Sequence, residues 1–167
     1  MKKVFFLISC ALGLTAFTGV HAQSKIGYIS MEELVTSMPE AKRADTALEK
    51  YKEDLQKAQQ DMQADLQTRY QKFVVDSPSM TQAKKDLVRK EIQDLLTQVQ
   101  SSTQDAQAAF QKKQQDLYGP IQQKALDAIQ TVAKEGGYGY VMSKENLIVS
   151  PPGDDLLPLV KKKLGIK

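Results

Sequence analysis

From Ala41 to Lys134 the chain has no glycine before Gly119 and only two prolines, Pro78 and Pro120. Gln, Ala, Lys, Glu and Leu fill the stretch, and these side chains lose little freedom in a helix. Apolar positions in its first half are Ala41, Ala44, Leu48, Tyr51, Leu55, Ala58, Met62, Leu66, Tyr70 and Phe73. Their spacings alternate between three and four residues, with a stutter near Met62, which is a coiled-coil seam. The second half repeats the pattern with Val88, Ile92, Leu95, Val99, Ser102, Ala106, Ala109 or Phe110, Leu117 and Ile121. Between the halves, Asp76–Ser77–Pro78–Ser79 is a turn cluster whose proline ends a helix. The simplest fold for this pattern is a long antiparallel helical hairpin, the arm, over residues 41–134 with its tip near 74–82. A compact bundle burying the same stripe is the alternative.

The seam is thin. Many of its positions are Ala, Ser or Tyr, and eighteen glutamines lie from Gln56 to Gln130. Few methyl groups are buried per turn, so the arm is expected to protrude and bend. Near its return to the rest of the chain, Tyr118–Gly119–Pro120 predicts a hinge at Gly119 and Pro120, because a proline inside a helix removes one hydrogen bond.

The flanks supply a head, residues 23–40 plus 135–167. Lys25–Ser30 reads as a first strand, and Met31–Val35 as a short helix capped by Ser30 with Glu33 at the capping-box spacing. Pro39 suits the start of the long helix. After the stop signal Gly136–Gly137, Tyr138–Met142 reads as a second strand and Leu147–Val149 as a third. Lys144–Glu145–Asn146 would turn between them as a hairpin. Asp154 or Asp155 can cap a last helix presenting Leu157, Val160 and Leu164 on one side. The predicted class is therefore α+β: a small β-strand head with a long helical hairpin. So small a core is expected to complete itself by oligomerising, which also covers its strand edges.

Met1–Ala22 has the form of a cleavable secretory signal: Lys2 and Lys3, the apolar run Val4–Phe17, and Val20–His21–Ala22 before Gln23. The run is shorter than the roughly 20 residues a membrane span needs. Leu7–Ile8–Ser9–Cys10 leaves too short an apolar run for a lipoprotein box, so Cys10 is read as a signal residue. Cleavage would remove the single cysteine and the single histidine, and leave 21 basic against 20 acidic residues.

That inventory narrows the chemistry. With no His or Cys, the usual general base, thiol nucleophile and structural metal ligands are missing, so no catalytic residue, metal or cofactor is expected. No phosphate-binding glycine loop is present, and no dense basic face with aromatics points to nucleic acid. Charge is concentrated at the arm's far end. Arg69, Lys72, Lys84, Lys85, Arg89 and Lys90 face only Asp76, Asp86 and Glu91 between positions 69 and 91. These six cations are candidates for contact with anionic lipid or lipopolysaccharide head groups or with a client chain, against the plainer reading of a solvated helix face. Phe73, Val75 and Met80 are the candidate apolar contacts.

Two groups of residues carry a resemblance. Ile26–Gly27–Tyr28–Ile29–Ser30–Met31 with Ser37–Met38–Pro39–Glu40–Ala41 is similar to the opening of the Skp/OmpH family of periplasmic chaperones. Gly137–Met142, Leu147–Val149 and Asp155–Leu157 resemble its ending, while the Gln-rich arm matches only as a helical pattern. Ser30 departs from the acidic residue that relatives often carry there. The resemblance implies a periplasmic homotrimer whose heads share a barrel-like body. Its helical arms would hold unfolded outer-membrane β-barrel proteins without ATP. A structural coiled-coil spacer of the envelope is the competing reading, although a spacer favours a continuous Leu/Ile seam. An exported enzyme is a distant third.

Overall fold

The computed structural model describes residues 24–166, so the signal-peptide reading, with Cys10 and His21, lies outside the described residues. Strand β1 (Lys25–Ile29) leads into helix α1 (Met31–Ser37) and the long helix α2 (Pro39–Asp76). A 3-10 turn at Ser77–Ser79 reverses the chain into α3 (Gln82–Glu135), followed by β2 (Tyr138–Ser143) and the terminal helix α4 (Leu157–Lys163). Among the described residues no helix is long and apolar enough to cross a membrane, and no cluster of His, Cys, Asp or Glu could hold a metal ion.

Helix ends follow the local chemistry. The Ser30 hydroxyl accepts the Glu33 N–H at 3.2 Å and starts α1. Pro39 occupies the first turn of α2, where its missing N–H costs nothing. Thr81 caps α3 through the Lys84 N–H at 3.4 Å. At the other end of α3 the Gly136 N–H returns to the Val132 carbonyl at 2.9 Å, and Gly137 takes φ +69°, a conformation L side chains rarely adopt. Asp155, one of the two predicted caps, accepts the Leu157 N–H at 2.9 Å and opens α4.

The two strands pair in parallel, Ile26 beside Tyr140 and Tyr28 beside Met142. A hairpin was expected at Tyr138, with Leu147–Val149 as its second strand. Instead, Lys144–Asn146 forms a 3-10 turn and residues 147–149 make no ladder, with Ile148 fully exposed. The other edge of β1 is closed by a bridge to Asp155, and the Leu156 N–H donates to the Tyr28 carbonyl at 2.9 Å. Parallel neighbours need a long crossover. Here the crossover is α1 and the entire arm.

The core lies between the strands, the short helices and the arm's base. Leu34, Leu156 and Val160 are wholly buried and Met38 almost so. Ala41 and Ala44 of α2 and Ile121, Ala125, Ala128, Ile129 and Val132 of α3 complete it. Each fully buried aliphatic side chain contributes about 1.5–3 kcal/mol. Gly27 is required by crowding, because a Cβ there would lie 2.9 Å from the Tyr138 ring. A second tie joins α1 to the 144–146 turn. The Ser30 hydroxyl donates to Glu145 at 2.5 Å and the Ser143 hydroxyl donates to the same carboxylate. These two hydroxyls, Ser143 first, pull the Glu145 carboxyl from 4.5 down to about 2.

Candidate functional site

At about 1.5 Å per residue, the 38 residues of α2 extend about 57 Å and the 54 of α3 about 80 Å, so most of both helices stands clear of the head. Their antiparallel register is kept along the arm with only a slight drift. From base to tip, Lys124 meets Glu40 at 2.5 Å, Tyr118 meets Asp45 at 2.5 Å, the Lys113 ammonium lies 5.8 Å from the Tyr51 ring, and Gln59 meets Thr103 at 3.4 Å. The Lys124 ammonium, hydrogen-bonded to Glu40, lowers that carboxyl, and the bond to Asp45 raises the Tyr118 phenol.

The seam between these pairs is shallow. Among the described residues of the arm beyond Leu48 and before Ile121, Ser102 alone is buried. Tyr51, Leu55, Met62, Leu66 and Phe73 on α2, and Val88, Ile92, Leu95, Val99 and Ala106 on α3, are half-buried as the spacing predicts. Two seam positions differ. Ala58 is exposed and Gln59 takes its place, because the stutter shifts the inward row by one residue and the Gln59 amide finds Thr103 there. Tyr70 is 58 % exposed. Openings of about 290 and 230 Å³ border the seam at one level and share Leu55, Gln59 and Ala106. The small side chains there, Ala58, Ser102, Ala106 and Ala109, leave the space between the helices unfilled.

The tip brings five predicted residues into one cleft of about 330 Å³. Phe73 from the last turns of α2, Met80 after the reversal, and Val88 and Ile92 from α3 give it an apolar lining; Arg69, Lys72 and Lys84 bring its cations. Arg69 is held by Asp65 at 2.9 Å, and Arg89, outside the cleft, is held by Asp86 at 2.7 Å with its guanidinium 5.9 Å from the Phe73 ring. Lys85, half-buried, and Lys90, exposed, do not line the cleft. Val75 also lies outside it and is 76 % exposed.

Beside Val75, the structure exposes Val74 and also Leu87, which sequence reasoning did not single out as a contact. Leu87 lies one residue before Val88 and so falls off the seam row, a signal the sequence did contain. At the arm's base α3 runs unbroken through Gly119 and Pro120. The proline lacks the N–H that would bond the Asp116 carbonyl, and the Asp45–Tyr118 and Glu40–Lys124 contacts bracket it.

Such an arm offers half-covered apolar side chains, amide groups and exposed cations over a long surface. Comparison with known proteins agrees with the architecture. The family model described as outer membrane protein (OmpH-like) matches residues 25–164. The chain is 28 % identical to the chaperone protein Skp of Yersinia enterocolitica over 164 residues, 98 % of this chain and 99 % of that one. It is 23 % identical to the chaperone protein Skp of Photorhabdus luminescens over the same coverage. A crystal structure of an OmpH-like outer membrane chaperone of Caulobacter crescentus CB15 aligns with TM-score 0.70 at 17 % identity, covering 89 % of each chain. That last likeness concerns the fold.

Proposed function

Because the chain belongs to the OmpH-like outer membrane protein family, we propose that it is a periplasmic holdase chaperone that binds unfolded outer-membrane β-barrel proteins. The observation that carries this reading is the half-buried seam of the arm, with Tyr70, Val74, Val75, Leu87 and Leu96 exposed along it. A holdase must contact many unfolded sequences weakly, and loosely packed amphipathic helices adapt to them. Binding the unfolded state lowers its free concentration by mass action and so slows aggregation without nucleotide. The relatives named chaperone protein Skp support the same role.

The working form is a homotrimer. Its support is the head's uncovered apolar surface. In the single chain β2 pairs on one side only, and Ile26, Tyr140, Met142, Ile148 and Val149 are each at least 44 % exposed. An open strand edge beside apolar side chains favours association with further copies. The signal peptide directs export to the periplasm, and the arm tips contact clients or the anionic surface of a membrane.

The test is mass-resolved light scattering of the mature chain, alone and mixed with a urea-unfolded outer-membrane β-barrel protein diluted into buffer without nucleotide. A trimer that keeps the client soluble is expected. A monomer or dimer that leaves aggregation unchanged would overturn the reading in favour of an envelope spacer.

A further inference from the structure

The six cations at the arm tip are not equivalent. Arg69 and Arg89 each hold an acidic residue on their own helix, Asp65 and Asp86, so their charge is already answered. Lys72 and Lys84 line the cleft and have no ion pair among the described residues. Glu91, the remaining carboxylate at the cleft, is also unpaired and leaves one positive charge in surplus. Phe73, its ring 5.9 Å from the Arg89 guanidinium, provides an aromatic wall. At about 330 Å³ the cleft is at the small end of ligand sites. It has room for one large side chain and none for several acyl chains.

We infer that this cleft is a peptide-reading site: it takes an apolar or aromatic client side chain against Phe73 and Met80, while the carboxylate of an adjacent acidic residue pairs with Lys72 and Lys84. This deepens the holdase reading and rests on it for the identity of the ligand as a client chain. The arm's seam would supply contact of low selectivity and the tip a local preference. Unfolded segments in which an aromatic residue neighbours Asp or Glu would then be held first.

The chain has no tryptophan, so a tryptophan peptide reports its own binding by fluorescence. The probes are two short acetylated, amidated peptides, one with a central Trp-Asp pair and one with Trp-Asn, titrated with the full mature protein. The Trp-Asp peptide is expected to bind about fivefold more tightly at low salt, the scale of an exposed charge pair, with a blue-shifted emission. Lys72→Gln with Lys84→Gln should erase the difference, Lys85→Gln with Lys90→Gln should keep it, and Glu91→Gln should enlarge it. All these side chains lie on the arm, and circular dichroism verifies that the helices persist. Equal affinity for the two peptides, no binding of either, or equal loss in both double variants would overturn the inference. So would lysine-dependent binding to vesicles containing anionic phospholipid with no peptide discrimination. Aggregation assays on the same variants separate the two readings. Suppression of aggregation without peptide discrimination defeats only the cleft, and discrimination without suppression defeats only the holdase.

Discussion

The Tyr118 hydroxyl donates to the Asp45 carboxylate at 2.5 Å, joining the two helices of the arm immediately before Gly119 and Pro120. The bond spans 73 residues of sequence and stands at the level where the packed head gives way to the thin seam. Tyr118→Phe deletes the donor and nothing else. Since the bond itself is solvent-exposed, the expected loss is small, about 0.5–1 kcal/mol in urea unfolding, with faster amide exchange in residues 114–122. The phenol's raised pKa means that its contribution is full below pH 10 and disappears as pH rises through the folded-state value. Wild type should therefore approach the Phe variant at high pH; a constant difference across that range would contradict the bond.

Pro120→Ala restores the N–H that the Asp116 carbonyl lacks. The substitution should stabilise α3 by up to about 3 kcal/mol, the cost of proline inside a helix. Slower amide exchange around position 120 is the direct readout. If the site is the hinge we propose, spin labels at the tip and head will also show a narrower distance distribution. An unchanged distribution would place the bending elsewhere, the seam openings at Ala106 being the next place to look.

Glu145 offers a test at acid pH. Its carboxyl, pulled down to about 2 by the Ser143 and Ser30 hydroxyls, stabilises the fold fully above pH 4.5 and loses that effect as pH falls towards 2. Carboxyl-carbon NMR titration should give Glu145 a midpoint near 2. A midpoint near the ordinary 4.5 would mean the two hydroxyls do not hold it. Ser30→Ala should raise the midpoint and also weaken the start of α1.

Stability should divide sharply between head and arm. Leu156→Ala empties a site with no solvent contact and is expected to cost about 2–5 kcal/mol. Leu55→Ala, at a half-buried position bordering the seam openings, should cost under about 1.5 kcal/mol. Urea denaturation of the two variants provides the comparison, and equal losses would show that the arm is packed as tightly as the head.

The arm was legible in the sequence because a helical seam is a local pattern repeated many times. The turn at Pro78, the Ser30 and Pro39 starts and the Gly136–Gly137 stop each depend on neighbours a few residues away, and each stands where the pattern put it. Leu147–Val149 misled for the opposite reason. Its β-branched composition favours a strand only when a ladder partner exists, and in the single chain Ile148 and Val149 meet none. Strands at the two ends of one helical hairpin must meet, but the parallel register of Ile26 with Tyr140 was hidden, since no local signal sets it across the arm. At the tip, composition announced the cations. Which of them are answered by Asp65 and Asp86, and which remain with Phe73 and Met80 in the cleft, depends on how the two helices meet.

Since β1 and β2 are neighbours separated by the whole arm, the order of folding is constrained by topology. A chain synthesised amino terminus first presents β1 early and must wait for β2. Closing so long a loop from a disordered chain is slow, because its entropy is lost before the strand pairing compensates for it. Zipping the hairpin from Ser77–Ser79 towards Asp45 and Tyr118 brings the two ends together by short-range steps instead. The arm that would later shelter other unfolded chains thus acts first on its own, as the template that delivers β2 to β1.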